Sequence, residues 1–193
     1  MIRVRVAVIL LCGLLMTISA CSLPRITVLS DPLTADEHND LGVSYEASGD
    51  WDRALATYAA AAAKDRGWDQ PLINHGNVHA AMGNWTDAIA SYRRALRRNP
   101  DNPEAMNNLA YALLQVHDVR QAMKWSKRAH TIAPENVTFI STQALILAEL
   151  GKAGEAAVLL EKALLRLSPD DPLRHPVQKL ADELSAGRPA LSQ

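Results

Sequence analysis

The chain repeats itself every 34 residues, and that period constrains its fold more than any single motif does. Setting LGVSYEASGDWDRALATYAAA over HGNVHAAMGNWTDAIASYRRA superposes Gly42 on Gly76, Gly49 on Gly83, Trp51 on Trp85, Ala54 on Ala88 and Tyr58 on Tyr92. The same step carries these positions to Ala110, His117, Val119, Ala122 and Ser126, then to Ala144, Gly151, Ala153, Ala156 and Leu160. Four copies therefore follow one another without insertion, at 35-68, 69-102, 103-136 and 137-170. A unit of that size cannot bury an apolar face alone, whereas stacked units bury one continuously, so the period predicts a solenoid.

Three positions of the unit carry only small residues. Numbering each copy from 1, position 8 reads Gly42, Gly76, Ala110, Ala144; position 20 reads Ala54, Ala88, Ala122, Ala156; position 27 reads Ala61, Ala95, Ala129, Ala163. Small side chains at fixed intervals let two helices approach closely, where a larger one would be overpacked. In this pattern the chain resembles the tetratricopeptide repeat, whose unit is a pair of antiparallel helices. The resemblance implies an all-α, right-handed α-solenoid of four helix pairs plus a C-terminal capping helix. The punctuation agrees. Asn102, Asn136 and Asp170, at position 34, suit the N-cap of the following helix, and Pro103 suits a first helical position. Pro100 and Pro134 stop second helices, and Gly49, Gly83 and Gly151 mark turns within pairs. The third copy departs with His117 at the turn and Ser126 in place of Tyr, and the first has Arg66-Gly67-Trp68 where others close with Pro. Beyond the fourth copy, Leu173, Val177, Leu180 and Leu184 recur at helical spacing, and segment 171-187 is expected to cap the stack, followed by a tail at 188-193.

The first 20 residues read as an export signal: Arg3 and Arg5 open an uncharged run from Val6 to Ile18, which ends in small residues. Ile18-Ser19-Ala20-Cys21 resembles the lipobox of bacterial lipoproteins, in which the cysteine is acylated and becomes the first mature residue. An ordinary signal or an uncleaved anchor is the competing reading. Cys12 would depart with segment 1-20, leaving Cys21 without a thiol partner in an oxidising compartment. Two acyl chains, at about 0.8 kcal/mol for each buried methylene, make a stable anchor. Segment 21-34, with Pro24 and Pro32, then serves as a linker. Loss of two Arg takes the formal charge from 20 minus 21 to 18 minus 21, a mildly acidic balance unsuited to nucleic acid.

Two constellations invite chemistry. His75 and His79 stand at i and i+4, the spacing of helical zinc sites, but Gly76 occupies the place of the metalloprotease glutamate. They fall at positions 7 and 11, where other copies hold Leu41, Tyr45, Leu109 and Leu113, so packing is the preferred role and a metal-dependent enzyme the unfavoured alternative. The basic run of Arg93, Arg94, Arg97, Arg98, Arg120, Lys124, Lys127 and Arg128 reads as a solvated convex face, or as a contact for acidic lipid headgroups or an acidic partner. No nucleophile with a base at readable spacing, no phosphate loop and no paired carboxylates appear, so no catalytic residue, cofactor or resident metal is expected.

The resemblance places positions 2, 5, 6, 9, 12 and 13 in a concave groove. From the first copy these include Asn39, Asp40, Val43 and Glu46; from the second, Ile73, Asn74 and Asn77. The third contributes Asn107, Asn108, Tyr111 and Gln115, and the fourth Ser141, Thr142, Leu145 and Glu149. A carboxamide row can hydrogen-bond an extended peptide, or can bond neighbouring helices and water instead. The Lys and Arg with which chaperone-binding relatives grip a terminal carboxylate are missing from positions 2, 5 and 6. The expected function is a lipid-anchored adaptor of the bacterial envelope, facing the periplasm from the outer membrane and holding a peptide or helix of a partner protein. Ser22 after the cysteine resembles the outer-membrane sorting choice. A looser resemblance to tight-adherence (Flp) pilus-assembly lipoproteins and to pilotins suggests assembly of a pilus or secretion complex; a self-associating scaffold is the alternative.

Overall fold

The computed structural model describes residues 31–186. Internal contacts divide the chain into residues 1–32 and 33–193, and the fold below is that of the second unit. The expected signal, Cys21, most of the linker and the 188–193 tail lie outside the described residues.

The described residues form nine α-helices and no strand: α1 (Ala35–Ala47), α2 (Trp51–Lys64), α3 (Gln70–Ala81), α4 (Trp85–Arg98), α5 (Pro103–Gln115), α6 (Val119–Ile132), α7 (Val137–Glu149), α8 (Ala153–Leu164) and α9 (Arg174–Ser185). Each odd helix from α1 to α7 packs on the even helix that follows, each pair packs on the next, and α9 packs on α8. Among these residues no helix is long and apolar enough to cross a membrane.

Local chemistry explains the boundaries. Thr34 and Glu37 form a reciprocal capping box at the start of α1. Asn102 Oδ1 accepts from the Ala105 N–H at 3.0 Å and Asn136 Oδ1 from the Phe139 N–H at 3.2 Å, so both predicted caps start α5 and α7. Helices α4 and α6 end two residues before Pro100 and Pro134. Between the helices of a pair the chain passes through the left-handed region, with φ of 75° at Gly49 and Gly83 and 74° at Gly151. In the third pair His117 adopts this conformation with φ 59°, the one non-glycine among the described residues to do so.

One boundary differs from expectation. Asp170 does not cap the last helix, which begins at Arg174 behind Leu173. The Asp171 carboxylate accepts from the Leu173 N–H at 2.8 Å and so holds a turn in the residues expected to be helical. Where the first copy lacks a closing proline, Asp65 Oδ1 accepts from the N–H groups of Gly67 and Trp68. Arg98 then reaches back from α4, donating to the carbonyls of Ala62, Trp68 and Asp65 at 2.7, 2.6 and 3.1 Å. Arg174 does the same for the end of α8, donating to Leu164 and Leu167 carbonyls at 3.0 and 2.7 Å. These bonds satisfy carbonyls that a helix end leaves open.

The core is a row of clusters strung along the stack. Ala54, Tyr58 and Val78 form the first; a central one joins the second and third pairs through residues such as Leu72, Met106 and Leu109; the last joins Ile140 and Leu160 to Val177 and Leu184 of α9. Half-buried Met123 packs against both the central and last clusters. The twelve small residues lie in this core, each almost wholly buried.

Candidate functional site: the concave hollow

The first helices of the second, third and fourth pairs, α3, α5 and α7, wall a hollow of about 350 Å³. It gathers Asn77, Asn107, Asn108, Tyr111, Thr142 and Leu145 of the predicted groove residues, together with Trp85 and Tyr92 from α4. The Trp85 and Tyr111 rings meet edge to face, 5.9 Å between centroids at 74°. Asn39, Asp40, Val43, Asn74 and Gln115 lie outside its lining.

The carboxamides are engaged with one another. Asn74 Nδ2 donates to Asn39 Oδ1 at 2.9 Å, and Gln70 Nε2 donates to Asn74 Oδ1 at 3.0 Å. Asn77 Oδ1 accepts twice, from the Tyr92 hydroxyl at 2.8 Å and from Asn108 Nδ2 at 3.1 Å. Asn107 Nδ2 reaches Asn108 Oδ1 at 3.4 Å. The row thus ties α1 to α3 and α3 to α5. A carboxamide both donates and accepts, which suits it to link equivalent positions of successive helices.

Burial separates the predicted residues further. Ile73 is fully buried, belongs to the central core and lies outside the lining of the hollow, so position 5 of that copy is a packing position. Asn39 and Thr142 are buried, and so is Asn107, at 4% exposure, with its Oδ1 lacking a hydrogen-bond partner. Asp40 and Glu104 are exposed, as are Val43 and Tyr111. Gln115 is half-buried and its Nε2 has no partner. Partial desolvation by the surrounding protein first, then the neighbouring Asp69 carboxylate, raises the pKa of the surface-exposed Glu104 carboxyl from its ordinary value.

The histidine pair sits elsewhere. His75 Nδ1 lies 3.0 Å from Ser91 Oγ, and the His75 and His79 rings meet edge to face at 4.8 Å. Burial first, then His79 and Arg94, lowers the His75 pKa to about 4. Among the described residues no third His, Cys, Asp or Glu joins them in a group able to hold a metal ion. The basic run is also divided. Arg98 turns inward to the backbone, while Arg128 lies over the Trp125 ring at 5.0 Å and 3.9 Å from Asp101. Arg93, Arg94, Arg97, Arg120, Lys124 and Lys127 remain exposed.

Sequence reasoning missed Trp85 as part of the site. It opens α4, a second helix, yet lines the hollow made by first helices. The available signal was its alignment with Trp51, which marked the register without showing where the ring points.

Comparison with known proteins agrees with this architecture. Tetratricopeptide repeat models match residues 38–67 and 73–137. Cellulose synthase operon protein C of Pseudomonas fluorescens is 36% identical over 87 residues, 45% of this chain and 7% of that protein. Protein FlbA of Caulobacter vibrioides is 30% identical over 137 residues, 67% of this chain and 22% of that protein. This chain therefore spans a small part of the length of either. Photosystem I assembly protein Ycf3 of Cuscuta obtusiflora is 30% identical over 112 residues, 49% of this chain and 67% of that protein. A thermophilic TPR protein of Thermus thermophilus superposes with a TM-score of 0.68 at 22% identity, covering 82% of this chain and 87% of its own. YrrB, described as a TPR protein with an unusual peptide-binding site, superposes with a TM-score of 0.62 at 20% identity, covering 81% of each chain. In register, in its paired helices and in its relatives, the chain belongs to the tetratricopeptide repeat family.

Proposed function

We propose that this protein is a protein-interaction scaffold of the bacterial envelope, tethered through Cys21 to the outer membrane and holding a segment of a partner protein against its concave face. The observation that carries the binding role is the hollow itself: an aromatic pair, Trp85 and Tyr111, beside Leu145 and carboxamides, open along the side of a solenoid. The peptide-binding site attributed to YrrB, a fold neighbour, supports the same use of the fold. The anchor rests on the lipobox resemblance at Ile18-Ser19-Ala20-Cys21, and a place in pilus or secretion assembly on the looser likeness of lipoprotein plus repeats.

Substituting the asparagines would dismantle bonds between helices, so exposed Tyr111 and half-buried Leu145, neither of which makes such a bond, are the better test. Crosslinking in the envelope followed by pull-down should recover a partner with the wild type and lose it with Tyr111→Ala plus Leu145→Ser. Unchanged recovery by that variant, with its circular dichroism intact, would place the interaction elsewhere. Metabolic labelling with a clickable palmitate should mark the wild type and leave Cys21→Ser unlabelled. Sedimentation across concentration separates a monomeric adaptor from a self-associating scaffold.

A further inference from the structure

The charges of the four pairs are sorted by helix. The helices α1, α3, α5 and α7 contain no Lys or Arg at all, whereas α2, α4, α6 and α8 carry every Lys and Arg found within the eight paired helices. At the groove positions read from the repeat register stand five acids, Asp36, Asp40, Glu46, Glu104 and Glu149, and no base. Among the described residues none of the first four makes an ion pair, and Glu149 meets only His117, at 3.5 Å. The Tyr92 hydroxyl, bonded to Asn77 in the wall of the hollow, feels the charges of both Glu46 on α1 and Glu104 on α5, which places a carboxylate on either side of α3.

A second, independent feature points to a donor. Asn107 lines the hollow, is almost wholly buried, and leaves Oδ1 without a partner. A buried carbonyl without a donor costs about 1–3 kcal/mol, and a ligand that supplies an N–H there recovers it. The Trp85 and Tyr111 rings beside it can receive the apolar stem of a Lys or Arg side chain and can attract its charge.

We propose that the concave face selects a cationic segment of a partner protein, with one Lys or Arg side chain entering the hollow alongside the Trp85–Tyr111 ring pair to donate to Asn107 Oδ1, and flanking bases facing the carboxylates on α1 and α5. This rests on the concave-face reading above and adds the chemistry of the occupant. Carboxylates flanking the hollow at Asp36, Asp40, Glu46 and Glu104, none of them in an ion pair among the described residues, give both attraction for such a segment and exclusion of acidic ones. The exposed arginines of α4, on the opposite helices, repel the same ligand and so keep it to one face.

The test uses the full-length protein in detergent and three synthetic decapeptides of matched length: one with arginines spaced by leucine and serine, one with every arginine replaced by citrulline, and one with every arginine replaced by glutamate. Binding is read by titration calorimetry and by the indole N–H resonance of Trp85, identified with Trp85→Phe. The arginine peptide should bind with the Trp85 resonance shifted, citrulline should weaken it at least tenfold, and the glutamate peptide should be weaker still. Asp40→Asn with Glu104→Gln, two exposed positions, should weaken the arginine peptide about five- to tenfold while leaving the citrulline peptide unchanged. Asn107→Ala should weaken it further if that variant keeps its helicity. Equal binding of arginine and citrulline peptides at Trp85 would overturn the cationic assignment and keep the groove as a peptide site. Binding of the arginine peptide with Trp85 unmoved would overturn both. Concentration-dependent self-association abolished by Arg93→Gln plus Arg94→Gln would overturn the partner assignment, making a second copy of this chain the occupant.

Discussion

The first two repeats and the last two solve one packing problem in opposite ways. In repeats one and two the first helix offers a glycine, Gly42 or Gly76, and the second helix lays a tyrosine across it. A Cβ on Gly42 would stand 2.6 Å from Tyr58 Cε1, and one on Gly76 2.5 Å from Tyr92 Cε1. Both are far inside the roughly 3.5 Å at which carbon atoms rest in contact. In repeats three and four the same places hold Ala110 with Ser126 and Ala144 with Leu160. The tyrosines also return a hydroxyl to the first helix, Tyr58 to Glu46 at 2.6 Å and Tyr92 to Asn77 at 2.8 Å. Ser126 has no such reach: it is 1% exposed and its Oγ has no partner. The lesson is that positions 8 and 24 are one unit, in which the size of the second side chain decides what the first is permitted to be.

The largest effect should come from removing a ring. Tyr92→Ala empties the space over Gly76 and should cost about 3–5 kcal/mol in urea denaturation, with amide protection lost first in α3 and α4. Gly76→Ala should cost about 1–3 kcal/mol through overpacking against the ring. Combined with Tyr92→Ala, however, it should become neutral or favourable, because the obstruction is gone and alanine is the better helix former. Additive losses in that double variant would break the claim that the two positions act together. Ser126→Ala should gain about 1 kcal/mol by removing a buried hydroxyl that finds no partner, and an unchanged unfolding midpoint would show the hydroxyl to be satisfied.

His117→Gly should gain about 0.5 kcal/mol, the relief of a left-handed conformation less the added freedom of glycine in the unfolded chain. The same change at Gly49 in reverse, to Ala, should cost stability although nothing crowds that site. At neutral pH the smallest contribution to expose is that of His75. Its folded pKa of about 4 lies below the ordinary 6.5, so the unfolded chain binds the proton more readily. The stability held by the neutral ring is complete above about pH 6.5 and declines as pH falls toward 4. His75→Leu, copying Leu109 of the third repeat, should flatten the urea midpoint between pH 7 and 4.5 relative to the wild type.

The register was legible because a solenoid writes it many times. Small residues at positions 8, 20 and 27, caps at Asn102 and Asn136 and glycines in the turns each report the same period, so one departure such as His117 does not shift it. What the period could not convey is the direction of individual side chains. Ile73 shares a groove position with Asn39 and Asn107 yet is core, and Trp85 shares a turn-proximal position with Trp51 yet lines the hollow. Nor could the sequence decide whether carboxamides bond each other or a ligand, since both uses need the same groups. The start of α9 was misplaced for a similar reason: Asp170 and Asp171 are both competent caps, and the turn that Asp171 builds pushes the helix on to Arg174.

The inward arginines set an order on the birth of this protein. The last turn of α2 is finished by Arg98, whose guanidinium meets the Ala62 carbonyl from 36 residues further along, and that of α8 by Arg174, which meets the Leu164 carbonyl. On a ribosome the chain emerges from its N-terminus, so the end of the first pair waits, with carbonyls turned to water, until the second pair has been made. The second copy cannot be exchanged freely for another, because it carries part of the first copy's ending.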